Sequence, residues 1–275
     1  MADRSWVPEG MQFEKPSAAR LYDYLLGGYH NFEADRAVAD RLVQLFPEIR
    51  LAARVNRAYL RRAVTFLVEQ GCEQFLDLGS GIPTVGNVHE IAQGINPSAR
   101  VVYVDIDPVA VSHSQALLEG NAQAVAIEAD ARDPLAILER PEVRHLLDLD
   151  APLGVLMVAL LHYVLDDDVA YRLVATVRDR VAAGSYLAIA HSETRVEPEE
   201  LAQDLAVTFH QASRAKDRTF DEISCFFEGW ALVPPGLVHT PLWRPEGPDD
   251  LLLDEPKRAL TLAGVAYKPG SGAAR

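Results

Sequence analysis

The segment LDLGSGIPTVG, residues 76–86, places a carboxylate and two glycines at the end of an apolar run. Gly79 and Gly81 permit a tight turn in which the backbone approaches a ligand closely, and a following helix would offer its N–H groups. The dinucleotide pattern GxGxxG is incomplete, because Thr84 stands at the third glycine position. Asp77 would repel a phosphate and attract an ammonium group. A plain glycine turn without a ligand is the alternative interpretation.

Two further carboxylates follow the next two apolar runs. Asp105 ends the run VVYV 24 residues after Gly81, the spacing at which an acidic side chain can bind ribose hydroxyls. Asp130 ends the third run and would face the same ligand. Each has a simpler interpretation as a turn residue, and Asp107 with Pro108 is predicted to begin a helix as N-cap and first residue. A ligand with an amine, a ribose and an adenine but no pyrophosphate corresponds to S-adenosylmethionine.

These residues require a scaffold that brings the ends of several strands together. From residue 74 onward, apolar runs alternate with helical stretches, which predicts parallel strands joined by crossover helices. The runs are FLDLG at 75–79, VVYVDID at 101–107, AVAIEAD at 124–130, GVLMVALL at 154–161 and SYLAIAHS at 185–192. Helices are predicted near 85–94, 108–119, 134–147 and 167–183. Ligands of a doubly wound sheet bind at the carboxyl ends of its strands, so the candidate residues would share one rim.

The N-terminal part has a helical pattern. Apolar residues from 18 to about 69 recur at threes and fours, with breaks at Gly27 and Gly28 and at Phe46 and Pro47. Aromatic and polar side chains surround the first break, and tyrosine rings can stack on adenine and attract a sulfonium. We predict that this segment is a lid, the alternative being a helical pair that only packs on the sheet. The candidate lid and acceptor-pocket residues are Tyr22, Tyr24, His30, Asn31 and His191.

His162, in the motif LLHYVL, is the candidate catalytic residue. Methyl transfer from a sulfonium is an in-line displacement, so alignment supplies most of the rate, and a base is needed only when the acceptor must lose a proton. His162 follows the fourth run and its imidazole titrates near neutral pH. The alternative is that His162 caps the turn or packs within it. His191 likewise has two interpretations, as a residue of the acceptor pocket or as a turn histidine. Tyr163 is interpreted as a packing residue. A helix predicted at 199–215 would either form one wall of the acceptor pocket or pack on the core.

The composition is that of a folded, soluble protein. Of 275 residues, 49% are hydrophobic and 24% charged, and the net charge of −14 disfavours nucleic acids and anionic membranes as partners. The two cysteines form no CxxC pair, so we expect neither a disulfide framework nor a metal site. Neither a signal-peptide pattern nor a run of about 20 apolar residues is visible, so we expect a cytoplasmic protein. The sequence leaves the oligomeric state open.

Several segments carry a family resemblance. DLGSGIPTVGNVHEIAQ, ARVVYVDIDPVAV, IEADARDP and LLHYVLDD resemble segments of the Rossmann-type S-adenosylmethionine-dependent methyltransferases. PSAARLYDYLLGGYHNFEADR at 16–36 and the later FFEGWALVPPGLV are most similar to segments of an actinobacterial family known simply as S-adenosyl methyltransferases, formerly a domain of unknown function. The resemblance covers residues 16–268. It implies a doubly wound α/β fold with a mostly parallel, seven-stranded Rossmann-like sheet, in which 231–238 and 260–268 are the last two strands and the final one runs antiparallel beside the fifth.

The resemblance also implies residue roles. The glycine turn would surround the methionine moiety, Asp105 would bind the ribose, and Asp130 with Ala131 would lie beside the adenine. Pro83 stands where general methyltransferase motifs often carry glycine, which leaves the conformation of the turn open. The candidate cofactor-binding residues are Asp77, Gly79, Ser80, Gly81, Asp105, Ile106, Asp130, Ala131 and Leu160.

Together these features predict one compact unit, with a helical cap or lid at 1–70 and a Rossmann-like binding domain at 71–270. The predicted activity is transfer of a methyl group from S-adenosylmethionine to a small-molecule acceptor, with S-adenosylhomocysteine as product. A non-catalytic sensor or accessory protein that binds S-adenosylmethionine is one alternative. An NAD-dependent oxidoreductase is another, which Thr84 and Asp77 oppose.

Overall fold

The computed structural model describes residues 14–84, 86–194 and 215–270. Three helices precede the sheet: α1 (Ala18–Leu25), α2 (Glu33–Leu45) and α3 (Ile49–Glu69). Both predicted breaks are confirmed. Gly27 has a φ of +86°, which a helix does not allow, and Pro47 lies between α2 and α3, where its missing N–H costs no helical hydrogen bond.

Five parallel strands alternate with helices, as the apolar runs predict. The elements in chain order are β1 (Gln74–Leu78), α4 (Val88–Ile95), β2 (Arg100–Asp105), α5 (Pro108–Leu117), β3 (Ala124–Glu128), α6 (Pro134–Glu139), α7 (Pro141–Leu146), β4 (Gly154–Val158), α8 (Asp167–Arg180) and β5 (Tyr186–Ser192). The single helix predicted at 134–147 is two helices, because the residue before Pro141 is forced out of the helical region; Arg140 has a ψ of 136°.

The chain ends in antiparallel additions to this sheet. After a short helix, α9 (Phe220–Ser224), come β6 (Ala231–Leu232), β7 (Val238–His239) and β8 (Thr261–Tyr267). β8 pairs antiparallel with β5, which confirms the implied position of the last strand. The run at 231–238 is two short strands rather than one, so the sheet formed by the described residues has eight strands instead of seven. Pro234 and Pro235 lack the N–H groups that would continue the ladder. The helix predicted at 199–215 lies outside the described residues except for its last residue.

The strand order is β3-β2-β1-β4-β5-β8-β6, with β7 also paired to β8, so the order reverses between β1 and β4. One sheet face packs on α6, α7 and α8, and the other on α3 and α4. Tyr59 fixes α3 to the sheet, since its hydroxyl lies 3.1 Å from the carbonyl oxygen of Ile189 and 2.8 Å from that of Gly264. α3 is therefore a rigid neighbour of the crevice at the switch point, where doubly wound sheets bind ligands.

Over residues 14–84, 86–194 and 215–270, none of the helices has both the length and the apolar character needed to cross a bilayer. In the same part of the chain, no three His, Cys, Asp or Glu side chains group in an arrangement that would hold a metal ion.

Candidate functional site

A cavity of about 310 Å³ lies at the carboxyl ends of the central strands. β1, β2 and β4 supply one side of it, and α1 and α3 cover the other side. The cavity brings together all nine predicted cofactor-binding residues: Asp77, Gly79, Ser80, Gly81, Asp105, Ile106, Asp130, Ala131 and Leu160. Their shared position follows from the parallel topology, and their role toward a ligand stays a prediction.

The glycine turn after β1 is bound to the end of β2. The N–H groups of Gly79 and Ser80 both donate to the carbonyl oxygen of Val104, at 2.8 and 3.1 Å. Gly79 has a φ of +71° and an added Cβ would lie 2.5 Å from Cδ1 of Leu160, so glycine is required there on two grounds. Gly81 has a φ of +69°, but nothing lies within 4 Å of an added Cβ. The turn therefore leaves backbone open to a ligand at Gly81.

The turn is longer than the sequence predicts. α4 begins at Val88 rather than near residue 85, and Asn87 is its N-cap. The Oδ1 atom of Asn87 accepts from the N–H of Thr84 at 3.0 Å, while Glu90 accepts from the N–H of Asn87 at 2.8 Å. Pro83 fits within this extended turn because it has no N–H to place.

Asp105 is held in a fixed orientation beside the turn. Its Oδ2 accepts from the N–H of Gly81 at 2.7 Å, and its Oδ1 accepts from the N–H of Asp107 at 2.8 Å. Burial raises the pKa of Asp105, whereas these two hydrogen bonds lower it. An ionised carboxylate has about four lone-pair positions, so two N–H donors leave acceptor capacity for ligand hydroxyls.

Asp77 makes the cavity receptive to positive charge. Burial raises its pKa to about 7, Arg57 lowers it, and the neighbouring Asp105 raises it. Asp77 and Asp105 lie on the adjacent strands β1 and β2, so the two carboxylates repel each other in a poorly solvated place. A cationic group bound between them would relieve that cost.

The far end of the cavity combines apolar surface with an ion pair. The Ile106 side chain is 61% exposed although it is apolar, and Ala131 lines the cavity with it. Asp130 pairs with the guanidinium of Arg132, and this hydrogen bond lowers the pKa of Asp130. Asp107 accepts from the N–H of Val109 at 2.8 Å, which confirms its predicted N-cap role for α5.

α1 covers the cavity and is fixed in place. Ser17, Ala18, Ala19 and Tyr22 line the cavity. The Tyr22 hydroxyl donates to the carbonyl oxygen of Ala53 at 3.0 Å and accepts from Nδ2 of Asn56 at 2.9 Å, both on α3. The buried Nε of Arg20 lies 3.2 Å from Asp35 and 3.7 Å from Asp107, so it ties α1 to the start of α5.

Three of the predicted lid residues do not line this cavity as the described residues define it. The Tyr24 hydroxyl donates to Asp40 at 3.0 Å, on the outer side of the helical pair. The backbone N–H of His30 and Nδ2 of Asn31 both donate to Oδ2 of the buried Asp23 at 2.9 Å. The polar groups at the break between α1 and α2 therefore shape a turn around Asp23, and their role in a lid or an acceptor pocket stays a prediction.

The structure also places His162 and His191 outside the described lining of the cavity. Their ring centroids lie 5.5 Å apart in a T-shaped contact. Burial lowers the pKa of His162 well below its usual value, helped by His191 and Arg218. His191 donates from Nδ1 to the Ser192 carbonyl at 2.7 Å and accepts at Nε2 from Arg218 at 2.8 Å, and burial lowers its pKa to about 3. Both residues therefore match the alternative in which the histidine packs in the turn, and the lowered pKa values keep both imidazole rings neutral.

Sequence reasoning missed Arg218, a fully buried guanidinium. It donates to the carbonyl oxygens of Leu161 at 3.0 Å and Val164 at 2.9 Å, and pairs with Asp167 at 2.9 Å. Arg218 thereby fixes the turn after β4, which carries Tyr163 on the cavity wall.

Sequence reasoning also missed the contribution of α3. Asn56, Arg57 and Leu60 line the cavity, as does Tyr163, which was expected only to pack. The sequence contains a signal for this role of α3, because Asn56 is a polar residue on the apolar face of the helix. In the structure Asn56 is 4% exposed.

The fold and the cavity define the class of protein. A parallel sheet with an antiparallel last strand, and a carboxylate-lined cavity at its switch point, form a Rossmann-like methyltransferase architecture. The chain matches the model of the S-adenosyl methyltransferase family over residues 4–269, and it belongs to that family.

Solved structures agree with this assignment. A protein of Thermobifida fusca that is described as a methyltransferase shares 45% sequence identity with this chain and superposes with a TM-score of 0.90. The match covers 97% of this chain and 100% of that chain. A DUF574 family protein of Streptomyces avermitilis is 37% identical, with a TM-score of 0.85, and 94% of this chain and 99% of that chain are covered. Both organisms are actinobacteria, as the resemblance implies. No curated protein gives a significant match.

Proposed function

We propose that this protein binds S-adenosylmethionine in the cavity and transfers its methyl group to a small-molecule acceptor. The observation that carries the proposal is the arrangement of Asp77 and Asp105, which lie at the carboxyl ends of neighbouring strands and line one cavity beside an open glycine turn. The described residues that line the cavity include four carboxylates and two arginines. Such a lining attracts the sulfonium and the ammonium group of S-adenosylmethionine.

The residues fit this ligand along its length. Asp77 suits the ammonium group, and the fixed carboxylate of Asp105 suits the ribose hydroxyls. Ile106 and Ala131 offer apolar surface for the adenine ring, and Asp130 offers an acceptor for its amino group. The same carboxylates would repel a pyrophosphate, which disfavours the NAD-dependent alternative.

When bound, S-adenosylmethionine supplies an electrophilic methyl group on sulfur. The protein's own residues position and shield the reaction. α1 covers the cavity through Ala18, Ala19 and Tyr22, which excludes water. Tyr163 and Leu160 line the end of β4, opposite the helices. Burial raises the pKa of both Tyr22 and Tyr163, so their hydroxyls stay neutral and act in positioning.

A small molecule is the acceptor class that the charges support. The net charge of −14 and the acidic lining oppose close approach of a nucleic-acid backbone. The cavity volume of about 310 Å³ is at the lower end of small-molecule sites, so ligand and acceptor would meet near its opening.

An acceptor screen tests the proposal. Purified protein is incubated with S-adenosylmethionine and a panel of amines, phenols, thiols and carboxylic acids, and release of S-adenosylhomocysteine is measured against a reaction without acceptor. We expect acceptor-dependent release that the Asp105→Asn variant loses in large part. Binding of S-adenosylmethionine without transfer to any member would support the sensor alternative.

A further inference from the structure

We propose that the methyl acceptor is an uncharged aromatic amine, and that it binds in the neutral part of the cavity, lined by Tyr22, Asn56 and Tyr163. The inference rests on the proposed function and extends it, because it names the chemical class of the acceptor and the residues that hold it. S-adenosylmethionine would occupy the remaining, charged part of the same cavity.

The charges of the cavity are unevenly distributed along the sheet. Five charged residues of the described lining lie in or just after β1, β2 and β3: Asp77, Asp105, Asp107, Asp130 and Arg132. Arg57 of α3 bonds to the carbonyl oxygen of Gly86, in the turn after β1. The end of β4 and the turn after it add uncharged residues to the described lining: Val158, Ala159, Leu160, Tyr163 and Val164. That side of the cavity favours an uncharged, largely apolar molecule.

Two tyrosines line the neutral part from different elements, Tyr22 from α1 and Tyr163 from the turn after β4. Burial raises the pKa of Tyr163, and Tyr22 raises it further, so the two hydroxyl groups lie close enough to act on each other. Aromatic rings pack well against other aromatic rings and attract a cation over their faces. The pair therefore suits a flat acceptor on which positive charge develops.

Asn56 supplies a hydrogen-bond acceptor beside Tyr22. The Tyr22 hydroxyl donates to the carbonyl oxygen of Ala53 at 3.0 Å and accepts from Nδ2 of Asn56 at 2.9 Å, which fixes the orientation of the amide. The Oδ1 atom of Asn56 is buried and has no hydrogen-bond partner among the described residues. An unsatisfied buried acceptor is costly, and an N–H group of the amine would satisfy it while the nitrogen lone pair stays free to react.

An amine also fits the charge changes of the reaction. Its nitrogen donates its lone pair to the methyl carbon as the carbon–sulfur bond breaks, and the electron pair of that bond stays on sulfur. The positive charge thereby passes from sulfur to nitrogen, and the methylated amine then releases one N–H proton to water. The two tyrosine rings and the four carboxylates of the lining favour a cation before and after transfer. A phenol would have to lose its proton, which the neutral hydroxyls of Tyr22 and Tyr163 do not accept.

The turn after β4 has a fixed conformation. Ala159 lines the cavity with a φ of +61°, which is uncommon for a residue with a Cβ, and its N–H donates to the carbonyl oxygen of Ala190 at 2.9 Å. Arg218 donates to two carbonyl oxygens of the same turn. Strained backbone of this kind persists where the surrounding structure holds it, and it clusters at ligand sites. Tyr163 therefore belongs to a wall that is formed before an acceptor binds.

Calorimetry and turnover with matched probes test the proposal. Para-toluidine is an uncharged aromatic amine, para-cresol has oxygen in place of the nitrogen, and cyclohexylamine is a saturated amine that is cationic at neutral pH. We expect para-toluidine to bind wild-type protein that is saturated with S-adenosylhomocysteine. We also expect it to accept a methyl group from S-adenosylmethionine with a kcat/KM about tenfold above that of either analogue, the factor for one hydrogen bond or ring contact.

Substitutions in the neutral part assign the residues. Asn56→Leu and Tyr163→Leu should each weaken calorimetric binding of para-toluidine about tenfold and leave the affinity for S-adenosylhomocysteine within about twofold. Tyr163→Phe keeps the ring and should keep most of the affinity for para-toluidine. The matched control is Tyr267→Leu, because Tyr267 is an exposed tyrosine on β8 outside the described lining, and neither affinity should change.

The outcomes separate this proposal from the proposed function. If wild-type protein binds S-adenosylhomocysteine but para-toluidine neither binds nor is methylated, the acceptor class is overturned, and transfer to a phenol, thiol or carboxylic acid would leave the function standing. If S-adenosylhomocysteine does not bind, the proposed function itself fails. An effect of Tyr163→Leu no larger than that of Tyr267→Leu would overturn the assigned site. Should Asn56→Leu not fold, equal losses in Tyr163→Leu and Tyr163→Phe would contradict ring packing.

Discussion

The backbone N–H of Gly81 donates to Oδ2 of Asp105 at 2.7 Å, so the turn after β1 and the end of β2 hold each other in place. A glycine with open space on its Cβ side and a buried carboxylate are thereby presented together to one cavity.

Asp105→Asn should weaken binding of S-adenosylmethionine by about 1–3 kcal/mol, because the amide keeps the shape but loses charge and one acceptor. Equilibrium dialysis with labelled ligand measures the change. The control is Glu128→Gln, an exposed carboxylate that pairs with Asp105 in the sheet register and lies outside the described lining of the cavity. Equal affinities for wild type and Asp105→Asn would show that Asp105 does not bind the ribose.

Alanine substitutions at the two turn glycines should differ in their effect on folding. Gly79→Ala combines a left-handed backbone with a Cβ 2.5 Å from Leu160, and should lower the free energy of unfolding by about 3 kcal/mol. Gly81→Ala meets only the backbone strain, about 1–2 kcal/mol. Urea unfolding followed by circular dichroism gives both values, and equal losses would contradict the close contact with Leu160.

The stability of the ligand-free protein should fall with rising pH because of Asp77. Its pKa is raised from about 3.9 in the unfolded chain to about 7 in the folded one, so the folded state binds more protons between those values. The stabilisation is present below about pH 4 and is lost as pH rises to about 7. Relative to Asp77→Asn, wild type should lose up to about 1.4 kcal/mol per pH unit in this window. Parallel unfolding curves at all pH values would refute the shift.

Arg218→Met should destabilise the protein by about 3–5 kcal/mol, because it removes a buried cation and leaves the carbonyl oxygens of Leu161 and Val164 without their donor. Thermal and chemical unfolding measure the loss. Arg172→Met, an exposed arginine on α8, should change stability by no more than about 0.5 kcal/mol. A small effect of Arg218→Met would mean that the turn after β4 is fixed by other contacts.

Local chemistry made part of the site predictable. Asp77, Asp105 and Asp130 each end a buried run, and in a parallel sheet the run ends meet at one rim whatever the details of packing. Asp107 was predictable because an N-cap depends only on the residues that follow it.

Side-chain direction and long-range contact were not predictable. His162 and Tyr163 are neighbours in a 3₁₀ turn, Leu161–Tyr163, in which successive side chains point about 120° apart, so Tyr163 faces the cavity and His162 does not. Arg218 contacts a turn 57 residues earlier, and Arg57 contacts Gly86 29 residues later. Those pairings depend on how helices dock on the sheet, which a periodicity in one segment does not encode.

Isothermal titration calorimetry of the purified protein with S-adenosylmethionine, S-adenosylhomocysteine and NADH tests the assigned ligand most directly. We expect one-site, micromolar binding of both sulfur ligands and no measurable binding of NADH. Binding of NADH without the sulfur ligands, or of none of the three, would contradict the assignment of this cavity to S-adenosylmethionine.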